Sequence, residues 1–309
     1  MTLQQLTYLV ALDTHRQFVK AAESCYVTQP TLTMQIQKLE EEVGGKLFHR
    51  NSTPIEPTIL GNIMVEKARL ILSEVEGLKT IVNGEVEKVE GTFTLGIIPT
   101  IAPYLIPLFL PIVAKRNKKV HLKVKEMRTD EIVTALKKGE IDLGILATPL
   151  EDKQIREWPM YYEPFMVYLS ENNPNYKKQN WKSSDLEAND MLILDEGHCF
   201  REQALVICGS KGKRKDLNFE YQSGSLEALM RMVEQGLGYT MIPELTVKGR
   251  AGERNARSFA QPIPVREVSI VTHQSFHRLA LVEWLQSEIQ KVVPKEYLQG
   301  KKYRRIGWK

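Results

Sequence analysis

The sequence predicts three parts in one chain: a small helical domain with a helix-turn-helix and a β wing, one long helix, and a two-lobed α/β domain. Three observations carry that prediction. Apolar residues recur at helical spacing over residues 1–50, follow a four-three alternation from about Thr58 to Val89, and beyond Gly91 gather in short strands between helical stretches. With 309 residues, 42% of them apolar, the chain has material for two or three soluble cores.

In the first part, Leu3, Leu6, Leu9 and Val10, then Leu32, Ile36, Leu39 and Val43, each fall on one helix face. Ser24 to Thr28 breaks the pattern. Thr28 is placed to cap a new helix with Pro30 in its first turn, where a missing N–H costs nothing. With the apolar row turned inward, Thr31, Thr33, Gln35 and Lys38 face out. Leu47-Phe48-His49-Arg50 through Ile55 to Thr58 reads as a short β wing.

From Thr58 to Val89, the positions Met64, Ala68, Ile71, Val75, Leu78, Val82 and Val89 form the seam of a two-stranded coil, interrupted at Glu85. Dimerisation is favoured over a helix that merely lies on a core. The boundaries expected are 1–58 for the winged helix-turn-helix, 59–90 for the linker helix and 91–309 for the third domain.

In that domain the expected strands are Phe93 to Ile98, Val120 to Lys125, Asp142 to Ala147, Met191 to Leu194, Phe219 to Gln222, Tyr239 to Ile242 and Val268 to Thr272. Their alternation with helices predicts parallel sheets with crossover helices. Extended passages near Met160 to Leu169 and Pro264 to Thr272 suit two crossings between lobes, lobe I at about 91–163 and 268–300, lobe II at about 164–267. Ligands gather at the carboxyl ends of such strands, where Thr100 and the segment around Cys199 fall.

Composition narrows the function. No run of eighteen apolar residues occurs and the N-terminus has no signal-like pattern, so neither a membrane span nor export is expected. An odd count of three cysteines then points to a reducing cytoplasm, where a disulfide would be transient. The net charge of +4 is mild, and residues 1–60 hold five basic against six acidic side chains, so bulk charge gives little support to nucleic-acid binding. The basic runs at 211–215 and 301–309 read as solvated loops. With no Cys-x-x-Cys, no His-Glu-x-x-His and scattered histidines, no metal site is expected; without a phosphate-binding glycine loop or a nucleophile elbow, neither is a conventional enzyme or a cofactor.

Cys199 and Cys208 stand out. If residues 200–208 are helical, nine rises of 1.5 Å set the two positions roughly 13 Å apart, whereas a disulfide needs Cα atoms within about 7 Å. A bond between them would require the segment to unwind, making it a switch rather than a staple. Gly197-His198 ahead of Cys199, with helix formers after it, puts that sulfur at a helix N-terminus, where a thiol pKa falls; Arg201 and a distant Arg266 are candidate cations. Both cysteines also fit as small buried hydrophobes, the favoured reading for Cys25. His198 is either an oriented donor or a surface cap, and Thr129 either a pocket hydroxyl or a cap on the helix beginning at Asp130. Thr100 has the same ambiguity.

The pattern Phe18-Val-Lys-Ala21-Ala22, Thr28-Gln29-Pro30-Thr31-Leu32-Thr33, Gln35-Ile36, Lys38-Leu39-Glu40, Gly44 and Leu47-Phe48-His49-Arg50 resembles the winged helix-turn-helix of LysR-type transcriptional regulators. Gly96-Ile-Ile-Pro-Thr100, Asp142-Leu-Gly-Ile-Leu-Ala147 and Gly236-Leu-Gly238 to Pro243 extend the resemblance over nearly the whole chain. His198-Cys199-Phe200-Arg201-Glu202-Gln203-Ala204 with Cys208 is similar to the peroxide-sensing branch of that family.

The resemblance implies a regulatory domain like a periplasmic binding protein and a cytoplasmic homotetramer bound to promoter DNA and RNA polymerase. It also implies a mainly activating switch of oxidative-stress genes, in which hydrogen peroxide oxidises Cys199, Cys208 resolves the product as a disulfide, and a glutaredoxin or thioredoxin resets it. Thr100, Thr129, His198 and Arg266 map onto the family's supporting polar groups, and Asn218 stands where many members carry a histidine. Gln29, Pro30, Thr31, Thr33, Gln35 and Lys38 would meet the major groove, with His49 and Arg50 at phosphate or minor groove. Thr53 and Pro54 replace basic residues common in the wing. Two rival readings remain: a regulator sensing a small carboxylate near Thr100 with passive cysteines, and a thiol peroxidase.

Overall fold

The computed structural model describes residues 1–50, 52–82, 88–186, 190–209, 224–299 and 303–307. The described residues up to Val82 belong to one compact unit, and most of those beyond it to a second.

In the first unit, α1 (Leu3–His15) opens with a reciprocal cap between Thr2 and Gln5. The short α2 (Phe18–Ser24) packs through Ala21 and Ala22, and Tyr26 turns the chain at a left-handed φ of 56°. Next comes α3 (Gln29–Val43), with Pro30 in its first turn and Gly44 as its left-handed C-cap. Thr28 is its N-cap residue, but the Thr28 hydroxyl bonds the Thr31 hydroxyl at 2.8 Å rather than capping a backbone N–H. Leu32, Ile36 and Leu39 are completely buried against α1 and α2.

The wing pairs β1 (Phe48–His49) with β2 (Glu56–Pro57) in antiparallel register. One carboxylate holds it. Glu40, buried on α3, accepts the Leu47 backbone N–H at 3.0 Å and pairs with Lys46 at 3.0 Å and Arg50 at 2.9 Å. Burial pushes the Glu40 carboxyl up, but the Leu47 and Lys46 hydrogen bonds and the charges of Arg50 and Lys46 outweigh it and hold it below the ordinary value.

The linker helix α4 (Ile59–Val82) divides the stripe read from the sequence. Met64 and Ala68 turn with Val65 into the helix-turn-helix core, because α1 needs a cover there; Ile71, Leu78 and Val82 face solvent. Residue 85, where the seam breaks, lies outside the described residues. Among those residues no helix is long and apolar enough to cross a membrane.

The second unit begins with β3 (Gly91–Ile97), α5 (Ala102–Arg116), β4 (Val120–Glu126), α6 (Thr129–Lys137) and β5 (Leu143–Thr148). Then follow β6 (Ile155–Leu169), β7 (Asn180–Trp181), β8 (Met191–Leu192), α7 (Cys199–Cys208), α8 (Leu226–Glu234) and β9 (Tyr239–Pro243). It closes with β10 (Ala256–Phe259), β11 (Ile263–His273), α9 (Leu279–Gln290) and β12 (Tyr303–Arg305).

β3 pairs in parallel with β4 and β5, as the crossover pattern predicts. The sheet as a whole is mixed, which corrects the expectation of parallel sheets. β11 runs antiparallel to β5 and to β6, and β6 runs antiparallel to β9 and β10. The fifteen-residue β6 explains this: its first part pairs with β11, its last five residues with β9, so one strand serves two sheets and must oppose its neighbours in each. The expected strand at Phe219 to Gln222 lies outside the described residues. The C-terminal basic run also departs from its reading as a loop, since Tyr303–Arg305 form β12, parallel to β11.

Replacing Glu40 with Ala leaves the buried Leu47 N–H unbonded and should cost about 2 kcal/mol by urea unfolding of the full chain. Because the folded-state carboxyl pKa is depressed, this contribution is present above the ordinary carboxylate range and vanishes as pH falls below it, so wild type and Glu40→Ala should converge in acid.

Candidate functional site: a buried thiol at a helix N-terminus

The helix α7 runs from one cysteine to the other, and neither sulfur is in a disulfide. His198 is its N-cap residue and Cys199, 5% exposed, its first. The inward row Phe200, Gln203, Ala204 and Ile207 follows the helical period into the core that includes Phe165, Tyr168 and Trp181. Cys208, half-buried at the far end, has its thiol 3.8 Å from the Leu186 carbonyl.

Cys199 opens onto a cleft of about 630 Å³ lined also by Thr129, Asp130, Asp152, His198 and Glu202. Thr129 leads α6 without capping it; the N–H of Arg128 is instead taken by the Glu131 carboxylate at 2.7 Å. The Thr129 hydroxyl is buried without a partner of full hydrogen-bond geometry, yet lies near enough to Cys199 to favour its thiolate.

Thr100 and Arg266 are more deeply buried than the cleft lining. Arg266 donates to the Thr100 hydroxyl and to the Thr100 carbonyl, both at 2.9 Å, and to Glu163 at 2.8 Å. Its guanidinium lies 5.6 Å from the Phe200 ring centroid, one residue along from Cys199. Glu163 is the residue the sequence did not single out: one acid in a strand 103 positions away carries no local sign of its partner. Burial pushes its carboxyl up, opposed by Arg266.

That ion pair corrects the expectation of a depressed thiol pKa. Burial pushes the Cys199 thiol up, and the counter-effects of Thr129, the Arg266 charge and the Phe200 and Ala147 backbone groups do not overcome it. Arg266 is already matched to Glu163, while Arg201 donates to the Leu194 carbonyl at 2.8 Å. His198 is held below the ordinary imidazole value, first by burial and then by the Arg128 charge, so its ring is neutral at pH 7.

The loop before Cys199 has its own fastening, which the sequence reading also passed over. Arg128 donates to the Glu196 carbonyl and packs where any Cβ on Gly197 would sit. Gly197 has a left-handed φ of 86°, and it is this backbone conformation that favours a glycine there.

At the other end of the chain, Gln29, Pro30 and Lys38 are exposed on α3, and Thr31 and Thr33 are half-buried. Gln35 is half-buried as they are, its oxygen 3.4 Å from the amide of Gln5. His49 and Arg50 are exposed on the wing, Arg50 being tied to Glu40. Asn218 lies outside the described residues. Among the described residues, no group of three His, Cys, Asp or Glu is placed to hold a metal.

Comparison with known proteins agrees with this layout. The bacterial regulatory helix-turn-helix family of lysR type matches residues 3–62, and the LysR substrate binding domain matches residues 87–294. A Pectobacterium carotovorum protein named hydrogen peroxide-inducible genes activator is 36% identical over 274 residues, 88% of this chain and 90% of its own. A full-length OxyR variant from Pseudomonas aeruginosa superimposes with a TM-score of 0.83 at 31% identity, covering 95% of this chain and 99% of that one. An OxyR mutant of Corynebacterium glutamicum, solved with hydrogen peroxide bound, gives 0.62 at 27% identity and covers 94% and 92%.

With its thiol raised by burial, Cys199 should alkylate slowly with iodoacetamide at pH 7 and speed up only above the ordinary thiol range. Thr129→Val removes a group favouring the thiolate and should move that pH profile higher; an unmoved profile would mean that the hydroxyl does not act on the sulfur.

The chain belongs to the LysR family of helix-turn-helix transcription regulators.

Proposed function

We propose that this chain is a mainly activating DNA-binding regulator of oxidative-stress genes, switched by hydrogen peroxide through a reversible Cys199–Cys208 disulfide. The observation that carries the reading is a buried thiol beside an unpartnered threonine hydroxyl in a cleft. The Pectobacterium relative's name and the peroxide-bound Corynebacterium structure support it.

In the chemistry, the Cys199 sulfur attacks one peroxide oxygen as the O–O bond breaks. The thiol proton ends on the departing oxygen, which leaves as water, and the sulfur becomes a sulfenic acid. Thr129 can donate to peroxide, and the Thr100 hydroxyl accepts from Arg266 and so keeps its own hydrogen to donate. The Cys208 sulfur then displaces the sulfenic hydroxyl, a second water leaves, and two electrons have passed from the thiols to peroxide. A glutaredoxin- or thioredoxin-type dithiol returns them.

The rim of the cleft favours an uncharged ligand. Asp130, Asp152 and Glu202 line it and His198 is neutral at pH 7, while of the two arginines whose charge reaches the cleft, Arg128 is bonded to the Glu196 carbonyl and Arg266 is paired with Glu163. A small carboxylate would meet like charge there, which weighs against a carboxylate co-inducer. The thiol-peroxidase reading gives no role to a helix-turn-helix or to α4.

The DNA contacts assigned are Gln29, Pro30, Thr31, Thr33, Gln35 and Lys38 of α3 in the major groove, with His49 and Arg50 of the wing at the backbone. The exposed apolar face of α4 supports pairing of two chains, and two pairs give a tetramer able to span a two-part operator in contact with RNA polymerase in the cytoplasm. The domains follow as 1–58, 59–90 and 91–309, the last split into lobes near 163 and 268.

Peptide mass mapping of chain treated with one equivalent of peroxide and then alkylated should recover a 199–208 linked peptide, with a matching change in the mobility of promoter DNA. Recovery of both cysteines as alkylated thiols would overturn the proposal.

A further inference from the structure

Near the C-terminus, Ile306 packs against and bonds to the helix that joins the two cysteines. Beyond β12, the Ile306 N–H donates to the Val265 carbonyl at 2.8 Å. The Ile306 side chain, 3% exposed, enters the core cluster that holds Phe200, Ala204 and Ile207 of α7. Gln203, the polar member of that inward row and fully buried, donates its amide to the Ile306 carbonyl at 3.2 Å. Arg305 pairs with Glu267 at 2.7 Å. β12 and Ile306 just beyond it thus grip both neighbours of Arg266 on one side and the middle of α7 on the other.

A ten-residue helix is marginal alone, since nucleation costs more than so few bonds return. Its helicity comes from packing. A buried amide inside an apolar row is unfavourable unless bonded; here its NH2 is bonded by the C-terminal segment, not by a neighbour in the lobe, and the amide oxygen is buried without a partner among the described residues. We infer that Gln203 and residues 303–306 form a clasp, a set of positioning residues that stabilises the helical, dithiol form of α7 and thereby sets its thiol–disulfide equilibrium. The inference rests on the Cys199–Cys208 bond proposed above. Unwinding α7 withdraws Gln203 from Ile306 and Phe200 from the shared core, so the clasp stabilises the two-thiol state alone. Reduction of the disulfide takes up two electrons and two protons, here from a dithiol buffer, and losing the clasp makes that reduction harder.

The test is the midpoint of the full chain in graded dithiothreitol redox buffers, read by differential alkylation and mass. A chain ending at Lys302, and separately Gln203→Ala, should each favour the disulfide about tenfold, which lowers a two-electron potential by about 30 mV. Glu288→Gln, which weakens ion pairs to Arg116 and Lys291 away from the clasp, should leave the midpoint where it was. An unchanged or raised midpoint in the clasp variants, or an equal shift in Glu288→Gln, overturns the inference. Should the shortened chain fail to fold, hydrogen exchange of the unaltered chain decides: amides 303–306 protected with thiols and unprotected with the disulfide support the clasp, and equal protection in both overturns it. A disulfide that forms with an unmoved midpoint overturns the clasp alone. Absence of a 199–208 bond in the unaltered chain overturns the functional reading with it.

Discussion

Cys199 and Cys208 stand at opposite ends of one helix, and that separation is the constraint on which the rest of the regulatory domain turns. Ordered backbone holds the sulfur-bearing positions about 13 Å apart, roughly twice the reach of a disulfide. On that geometry, a Cys199–Cys208 bond and an intact helix would exclude each other. The helix is held by its inward face, where Phe200, Ala204 and Ile207 are each 3% exposed or less, and burial of a phenylalanine alone stabilises by about 2 kcal/mol.

Beneath the thiol, the matched pair Arg266 and Glu163 sets a second balance. A free buried cation would hold Cys199 as a thiolate open to many electrophiles. Pairing it with Glu163 and tying it to Thr100 leaves the thiol raised by burial, with the Thr129 hydroxyl beside it.

The sequence carried the local features well. The row Leu32, Ile36, Leu39 identified α3, and the run of helix formers after Cys199 identified the helix that joins it to Cys208, because both signals are local to a few turns. Long-range partners left no such trace. Glu163 meets Arg266 across 103 positions and Gln203 meets Ile306 across another 103, so neither could be read from neighbours. The crossing strands read as extended, but their antiparallel sense depends on the tertiary path of β6. At Cys199 the sequence located the sulfur correctly and mistook its electrostatics, since a helix N-terminus is a local property and burial is not. At α4 the apolar stripe was visible, while its division between the core and solvent depended on where α1 lies.

The most direct measurement is amide hydrogen exchange over residues 200–208 in the full chain, with both thiols free and after stoichiometric peroxide. Protection that collapses when the disulfide forms is the predicted result. A chain that carries the 199–208 bond and keeps its helical protection would contradict the account.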